Sequence, residues 1–209
     1  QFKTRLPGIY HKLPRFFMRL IRSIVYENRL NYLIHESREL EGIELVNWAL
    51  KQFQVTVKLK GQENIPKDGR NIFVSNHPLG GLDSLALLSA LGLSYSSLKI
   101  LSNEILDVVS GFHPLRLSVI TFGKLTKANA LALKDALMSD QPLCVFPAGF
   151  VAKRNPFKIQ DLSWKKFFVS SAVKYQRKVV PVFIVARNSN LFYNISSIRK
   201  LLHMKSNLE

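Results

Sequence analysis

Apolar residues recur every three or four positions at the start of the chain and then change period. Between Pro14 and Ser37, Phe17, Leu20, Ile21, Ile24 and Val25 share one face, while Arg15, Arg19 and Arg22 fall on the other. That spacing predicts an amphipathic helix, and Pro14 suits its first turn. A second helix is expected over Glu36–Phe53, with Ile43, Val46, Ala49, Leu50 and Phe53 in phase. Val55, Val57 and Leu59 then alternate with polar residues, the period of a half-buried strand. Pro66, Asp68 and Gly69 make a turn before an apolar run, Ile72–Ser75.

Beyond Ser75 strands and helices alternate. Helices are expected over 84–93, 103–109, 127–138 and 162–175, the last N-capped by Asp161. Strands are expected over 98–101, 118–122, 143–146 and 179–185, with Pro181 marking the last as a strand start, edge or bulge. This order predicts an α/β fold, a central and largely parallel sheet flanked by helices and preceded by N-terminal amphipathic helices. The expected division is membrane-associating helices over 1–54 and an α/β core over 55–209.

Composition narrows the class of partner. The 209 residues carry a formal net charge of +16, so an anionic surface is expected, either acidic lipid or nucleic acid. No nucleic-acid recognition signature accompanies the charge, and no nucleic acid is expected. Arg15, Phe16, Phe17, Arg19, Ile21 and Arg22 have the chemistry of an in-plane membrane anchor. The same period would also serve a surface helix packed on the core. No apolar run reaches the ~20 residues that span a bilayer. The single cysteine, Cys144, precludes an internal disulfide and reads as a buried thiol. Gln1 is not an initiator methionine, so a fragment of a longer protein is one expectation, and a core truncated at the C-terminus is another.

The candidate chemistry lies directly after the Ile72–Ser75 strand, in Asn76-His77-Pro78-Leu79-Gly80-Gly81-Leu82-Asp83. Proline after His77 favours extended backbone there, and the glycines let the chain fold back so that Asp83 can approach the imidazole. A base and its orienting carboxylate are one reading; Asp83 as a simple helix N-cap is the other. In α/β sheets ligands bind beyond the carboxyl ends of strands, where both His77 and the Pro147-Ala148-Gly149 turn fall.

These residues resemble the motifs of the PlsC-like lysophospholipid acyltransferases, the glycerolipid acyltransferase family. Asn76-His77 and Asp83 are similar to its first motif, Asn-His, four spacers and Asp, with five spacers here. That insertion resembles a bacterial hemolysin-like subgroup that includes O-acyltransferases of ornithine and glycine lipids. Phe146-Pro147-Ala148-Gly149 resembles the third motif, Val180-Pro181-Val182 the fourth, and Val119–Lys124 the second. Ala148 and Lys124 stand where the family has glutamate and arginine. The resemblance implies acyl transfer from an acyl carrier protein or coenzyme A thioester, a co-substrate, to a lyso-lipid hydroxyl, with no cofactor and no metal. His77 would be general base and Asp83 its orienter. Asn76, Gly80, Gly81, Lys124, Pro147, Ala148, Gly149, Lys153 and Arg154 are the candidate substrate-binding residues. Loss of the glutamate and arginine turns the expected acceptor towards a lyso-aminolipid, at the cytoplasmic face of a bacterial inner membrane. Lysophosphatidic acid acylation and a non-catalytic basic lipid- or nucleic-acid-binding protein remain the alternatives.

Overall fold

The computed structural model describes residues 26–102, 109–118, 126–155 and 158–201, with the single positions 19 and 23. The chain divides into two units, 1–40 and 41–209. The first contains helix α1, Glu27–Glu36. The expected anchor residues Arg15, Phe16, Phe17, Ile21 and Arg22 lie outside the described residues, while Arg19 is exposed.

The second unit opens with α2, Gly42–Gln52, whose buried face is Leu45, Val46, Ala49 and Leu50. Then come β1 (Asn71–Ser75), α3 (Gly81–Gly92), β2 (Lys99–Ser102), β3 (Arg116–Ser118), α4 (Lys127–Met138) and β4 (Leu143–Val145). A short antiparallel ribbon, β5 (Lys153–Arg154) with β6 (Ile159–Gln160), precedes α5 (Phe167–Tyr175), β7 (Lys178–Val182) and α6 (Asn190–Leu201). Five strands form one sheet in the order β3-β2-β4-β1-β7, and every pairing is parallel. This is the expected α/β fold. All five residues of β1 are buried, as a strand covered on both faces requires.

The direction of the crossovers positions everything else. From β1 the chain steps across the sheet to β2; from β3 to β4, and from β4 to β7, it steps the other way. Same-handed crossovers then put α3 on one face and α4 and α5 on the opposite one. Accordingly Ile72, Val74, Leu143 and Val145 form one core with Ala136 and Leu137 of α4 and Ala172 of α5. Phe73 points the other way and meets Tyr95 edge-on at 5.9 Å. The chain therefore leaves the adjacent strands β1 and β4 towards opposite faces, which opens a crevice at their carboxyl ends.

Several elements differ from the periodicity. Residues 55–60 form no strand, because a half-buried alternation supplies a face but not a ladder partner. The helix expected over 36–53 begins only at Gly42. That expected over 162–175 begins at Phe167, since Asp161 is engaged elsewhere. The ribbon and α6 were not anticipated, and 103–108 and 119–125 lie outside the described residues. Pro181 sits in the edge strand, where a missing N–H leaves no gap in the sheet. Cys144 is fully buried, and burial pushes its thiol pKa well up, so it is not a nucleophile.

Among the described residues the deepest cation is Arg177, 5 % exposed. Its guanidinium donates to the carbonyls of Leu137 (2.9 Å), Ala136 (2.8 Å), Gln141 (2.9 Å), Asn71 (3.2 Å) and Ser139. It thus satisfies the orphan carbonyls at the end of α4, where a positive charge also meets the negative end of the helix dipole. Desolvation lowers its pKa, yet an arginine keeps its charge. Arg177→Met should lower unfolding free energy by at least ~3 kcal/mol in denaturant titrations, since each unsatisfied buried carbonyl costs about 1–3 kcal/mol. Arg177→Lys, with three donors on one point, should recover only part of that loss.

Candidate active site

His77 lies two residues past β1, and the strand end is fixed by its neighbour. Asn76 donates from Nδ2 to the carbonyl of Ile184 (2.9 Å) and accepts the Ile184 amide on Oδ1 (2.7 Å). The side chain thereby imitates a further rung between β1 and the segment after β7. Both ends of the amide are spent on backbone.

The turn after His77 brings the carboxylate back. Gly80 has φ +85 and ψ −128, a conformation that side chains rarely adopt, and α3 starts at Gly81. Asp83 is the third residue of that helix, so its carboxylate reaches back over the turn. One oxygen, Oδ2, accepts the Leu79 amide (2.8 Å) and the Gly80 amide (2.9 Å), and lies 3.0 Å from His77 Nδ1. Asp83 is wholly buried; the His77 side chain retains 15 % exposure. An oxygen that already accepts two N–H groups is an acceptor for the third, so Nδ1 carries the ring proton. The neutral imidazole then presents the Nε2 lone pair at the opposite edge. The helix begins at Gly81 and its N-cap is Gly80, so Asp83 is not the N-cap the sequence offered; as the third helical residue it accepts the N-cap amide and partners the histidine with the same oxygen.

Phe146, the residue after β4, stacks on the imidazole with centroids 4.2 Å apart and planes at 20°. The crevice between β1 and β4 therefore unites the two motifs expected on one rim. The His77 backbone is pinned as well: its amide donates to Asp161 Oδ1 (3.2 Å) and its carbonyl accepts the Ala152 amide (2.8 Å). Asp161 Oδ2 takes the Trp164 indole N–H at 3.0 Å. Asn188 donates to the Pro78 carbonyl at 2.8 Å. Asp161, Trp164 and Asn188 were not among the expected site residues. A lone acid within a basic stretch was the available signal for Asp161.

The remaining candidates are distributed around this centre. Pro147 offers its carbonyl to the Lys165 amide (3.0 Å), and the Gly149 amide closes a turn on Phe146 (2.9 Å). Of the three candidate glycines, Gly80 and Gly149 have their amides engaged. Gly81 opens α3, where an amide has no helical carbonyl behind it. Ala148 is buried and brings no charge to the rim. Lys153 Nζ lies 5.6 Å from the Phe150 ring centroid. Arg154 is clamped on α6 by the Tyr193 ring, Asn194 (2.8 Å) and Asn190 (3.1 Å). Lys124 is outside the described residues. A groove of about 250 Å³ between α4 and α5 includes neither His77 nor Asp83.

A buried carboxylate–imidazole pair at a sheet rim recurs in many enzymes, and comparison with known proteins narrows the class. A family model described as "Acyltransferase" matches residues 2–209. The chain belongs to this acyltransferase family. Two similar proteins are each called lyso-glycine lipid O-acyltransferase. That of Bacteroides thetaiotaomicron is 35% identical over 207 residues, covering 99% of this chain and 76% of the relative. That of Phocaeicola vulgatus is 34% identical over 207 residues, covering 99% of this chain and 74% of the relative. No solved structure matches.

In this acyltransferase the two adjacent glycines have different duties. A Cβ on Gly80 would meet Val151 Cγ2 at 3.1 Å and suffer the positive φ, whereas at Gly81 nothing lies within 4 Å. Gly80→Ala should cost about 1–3 kcal/mol of stability, the scale of strain in a sparsely populated backbone conformation. Gly81→Ala should stay within about 0.5 kcal/mol of the parent or stabilise it. Equal losses in thermal and denaturant melts would contradict this division.

Proposed function

We propose that the chain O-acylates a lyso-aminolipid, taking the acyl group from an acyl carrier protein or coenzyme A thioester at a membrane surface. The observation that carries the mechanism is the 3.0 Å contact of His77 Nδ1 with a carboxylate that has no solvent exposure. As the acceptor hydroxyl attacks the thioester carbonyl, its proton passes to His77 Nε2. Asp83 holds the reactive tautomer and stabilises the imidazolium that forms. Collapse of the tetrahedral intermediate breaks the C–S bond, and the imidazolium proton neutralises the departing thiolate. The products are an ester and a free thiol. No enzyme nucleophile is required, which agrees with a buried, inert Cys144. The Gly81 amide is the candidate oxyanion donor.

The acceptor class rests on the relatives' names and on the chemistry of the rim. Ala148 supplies no carboxylate to engage a glycerol phosphate. Lys153 lies on the ribbon, where its ammonium can pair with the carboxylate of a glycine or ornithine headgroup. The acceptor hydroxyl is then that of an amide-linked 3-hydroxy acyl chain. Such acceptors and acyl thioesters meet at the cytoplasmic face of a bacterial inner membrane.

His77→Ala should retain its circular dichroism spectrum while losing about 10²–10⁴ in turnover, the worth of a general base. Asp83→Asn should lose about 10²-fold or more through the wrong tautomer. Near-normal turnover by His77→Ala would remove His77 from the chemistry. With one acyl donor, a lyso-glycine lipid should turn over faster than lysophosphatidic acid. The reverse order would assign the chain to phospholipid synthesis.

A further inference from the structure

Several large apolar side chains near the carboxyl end of the sheet are exposed. Just past the carboxyl end of β7, alternate residues point outwards: Phe183 is 77% exposed and Val185 88%. Ile184 between them is held by the Asn76 amide, which fixes Phe183 and Val185 on the outward side of the segment. Leu191 on α6 is 66% exposed and Trp164 41%. Chain neighbours of Phe183, Val185 and Leu191, and Trp164 itself, are bonded to the His77 loop or its anchor: Ile184 to Asn76, Asn188 to Pro78, and Trp164 to Asp161, which holds the His77 amide. Phe183, Val185, Trp164 and Leu191 are thereby held close in the chain to the residues that fix the His77 loop. Large apolar groups concentrated beside a site signal a partner surface.

The charge on this part of the chain identifies the partner. Of the seven Lys and Arg in residues 158–191 all but Arg177 are exposed, and the one acidic side chain of that stretch, Asp161, is already committed to His77 and Trp164. Lys165, Lys166 and Arg187 are exposed next to the apolar residues. Protein–protein interface centres are depleted in lysine, whereas Lys and Arg flanking Trp, Phe and aliphatic groups suit an anionic bilayer.

We propose that this rim of the catalytic unit is itself a membrane-docking surface. Phe183, Val185, Trp164 and Leu191 enter the headgroup–acyl boundary, and Lys165, Lys166 and Arg187 engage anionic headgroups. The His77 crevice then opens onto the lipid from which the acceptor comes, so a lyso-lipid reaches the base without crossing bulk water. The proposal rests on the lipid-acceptor reading for its purpose, but its binding test does not need turnover. It is distinct from attachment through residues 15–22, because every group lies in the second unit.

The test uses the full chain and vesicles of phosphatidylcholine with and without phosphatidylglycerol. Phe183→Ser with Val185→Ser should lower the partition coefficient on anionic vesicles by more than about tenfold, since it removes the inserted apolar area. Lys165→Gln with Lys166→Gln should weaken binding at low salt and have little effect at high salt. Phe16→Ser with Phe17→Ser and Ile21→Ser serves as the comparison, and should leave the rim's contribution in place. The chain has two tryptophans, so Trp48→Phe makes Trp164 the sole indole reporter. Its emission should shift to the blue on anionic vesicles and be quenched by brominated acyl chains. Unchanged partition of the Phe183/Val185 variant overturns the proposal, as does an unmoved Trp164 spectrum. A loss of self-association instead of vesicle binding in that variant would identify a second copy as the occupant and also overturn it. Turnover of a detergent-dispersed acceptor should be unaffected by the Phe183/Val185 changes; absent turnover in the parent chain would defeat the enzymatic reading and leave the docking result standing.

Discussion

A carboxylate with no access to water must find its compensation inside the protein, and Asp83 finds most of it on a single oxygen. Two backbone amides and the His77 ring converge on Oδ2 within 2.8 to 3.0 Å. The amides belong to the turn that launches α3, so the same charge starts the helix, closes the loop and orients the imidazole. Oδ1 is buried with no protein partner. These demands are met together only because Gly80 accepts a backbone conformation denied to other residues. The site is preorganised before any substrate arrives, which is how electrostatic stabilisation avoids reorganisation cost.

Around this pair the sheet acts as a register device. β1 and β4 run side by side and leave towards opposite faces, so the residues just past their ends cannot be covered by their own connections. His77 and Phe146 occupy that gap and stack. The stacked ring shields one face of the imidazole, and the Asp161 and Ala152 contacts fix the backbone from which it hangs. Motion is restricted at Nδ1 while Nε2 stays available.

The basic character of the chain has two separate physical uses. Arg177 is interior, spends its guanidinium on carbonyls at the end of α4 and contributes to the fold. Lys165, Lys166 and Arg187 are outside, as are Phe183, Val185 and Leu191. A formal charge of +16 combines both and distinguishes neither. Only burial separates a helix-capping cation from one that can meet an anionic surface.

The alternation of strands and helices, the buried character of Ile72–Ser75 and the His77–Asp83 pairing were determined by the sequence itself. Period, turn residues and motif spacing are local properties, and the relevant distance between His77 and Asp83 spans one turn. The helix over 127–138 is bounded by its own cap, Thr126, whose side chain accepts the Asn129 amide. Contacts between distant segments were decided by the tertiary structure. The strand expected at Val55–Leu59 failed because alternation cannot guarantee a neighbour. The helix expected from 162 starts later because Asp161 is drawn to a histidine 84 residues away. Asn76, expected to face substrate, is absorbed by Ile184 across the sheet. Phe146 shares the rim with His77 because the sheet order makes β4 the neighbour of β1. Local periodicity carries no information about which strand will lie beside which, and in this fold that adjacency is what builds the site.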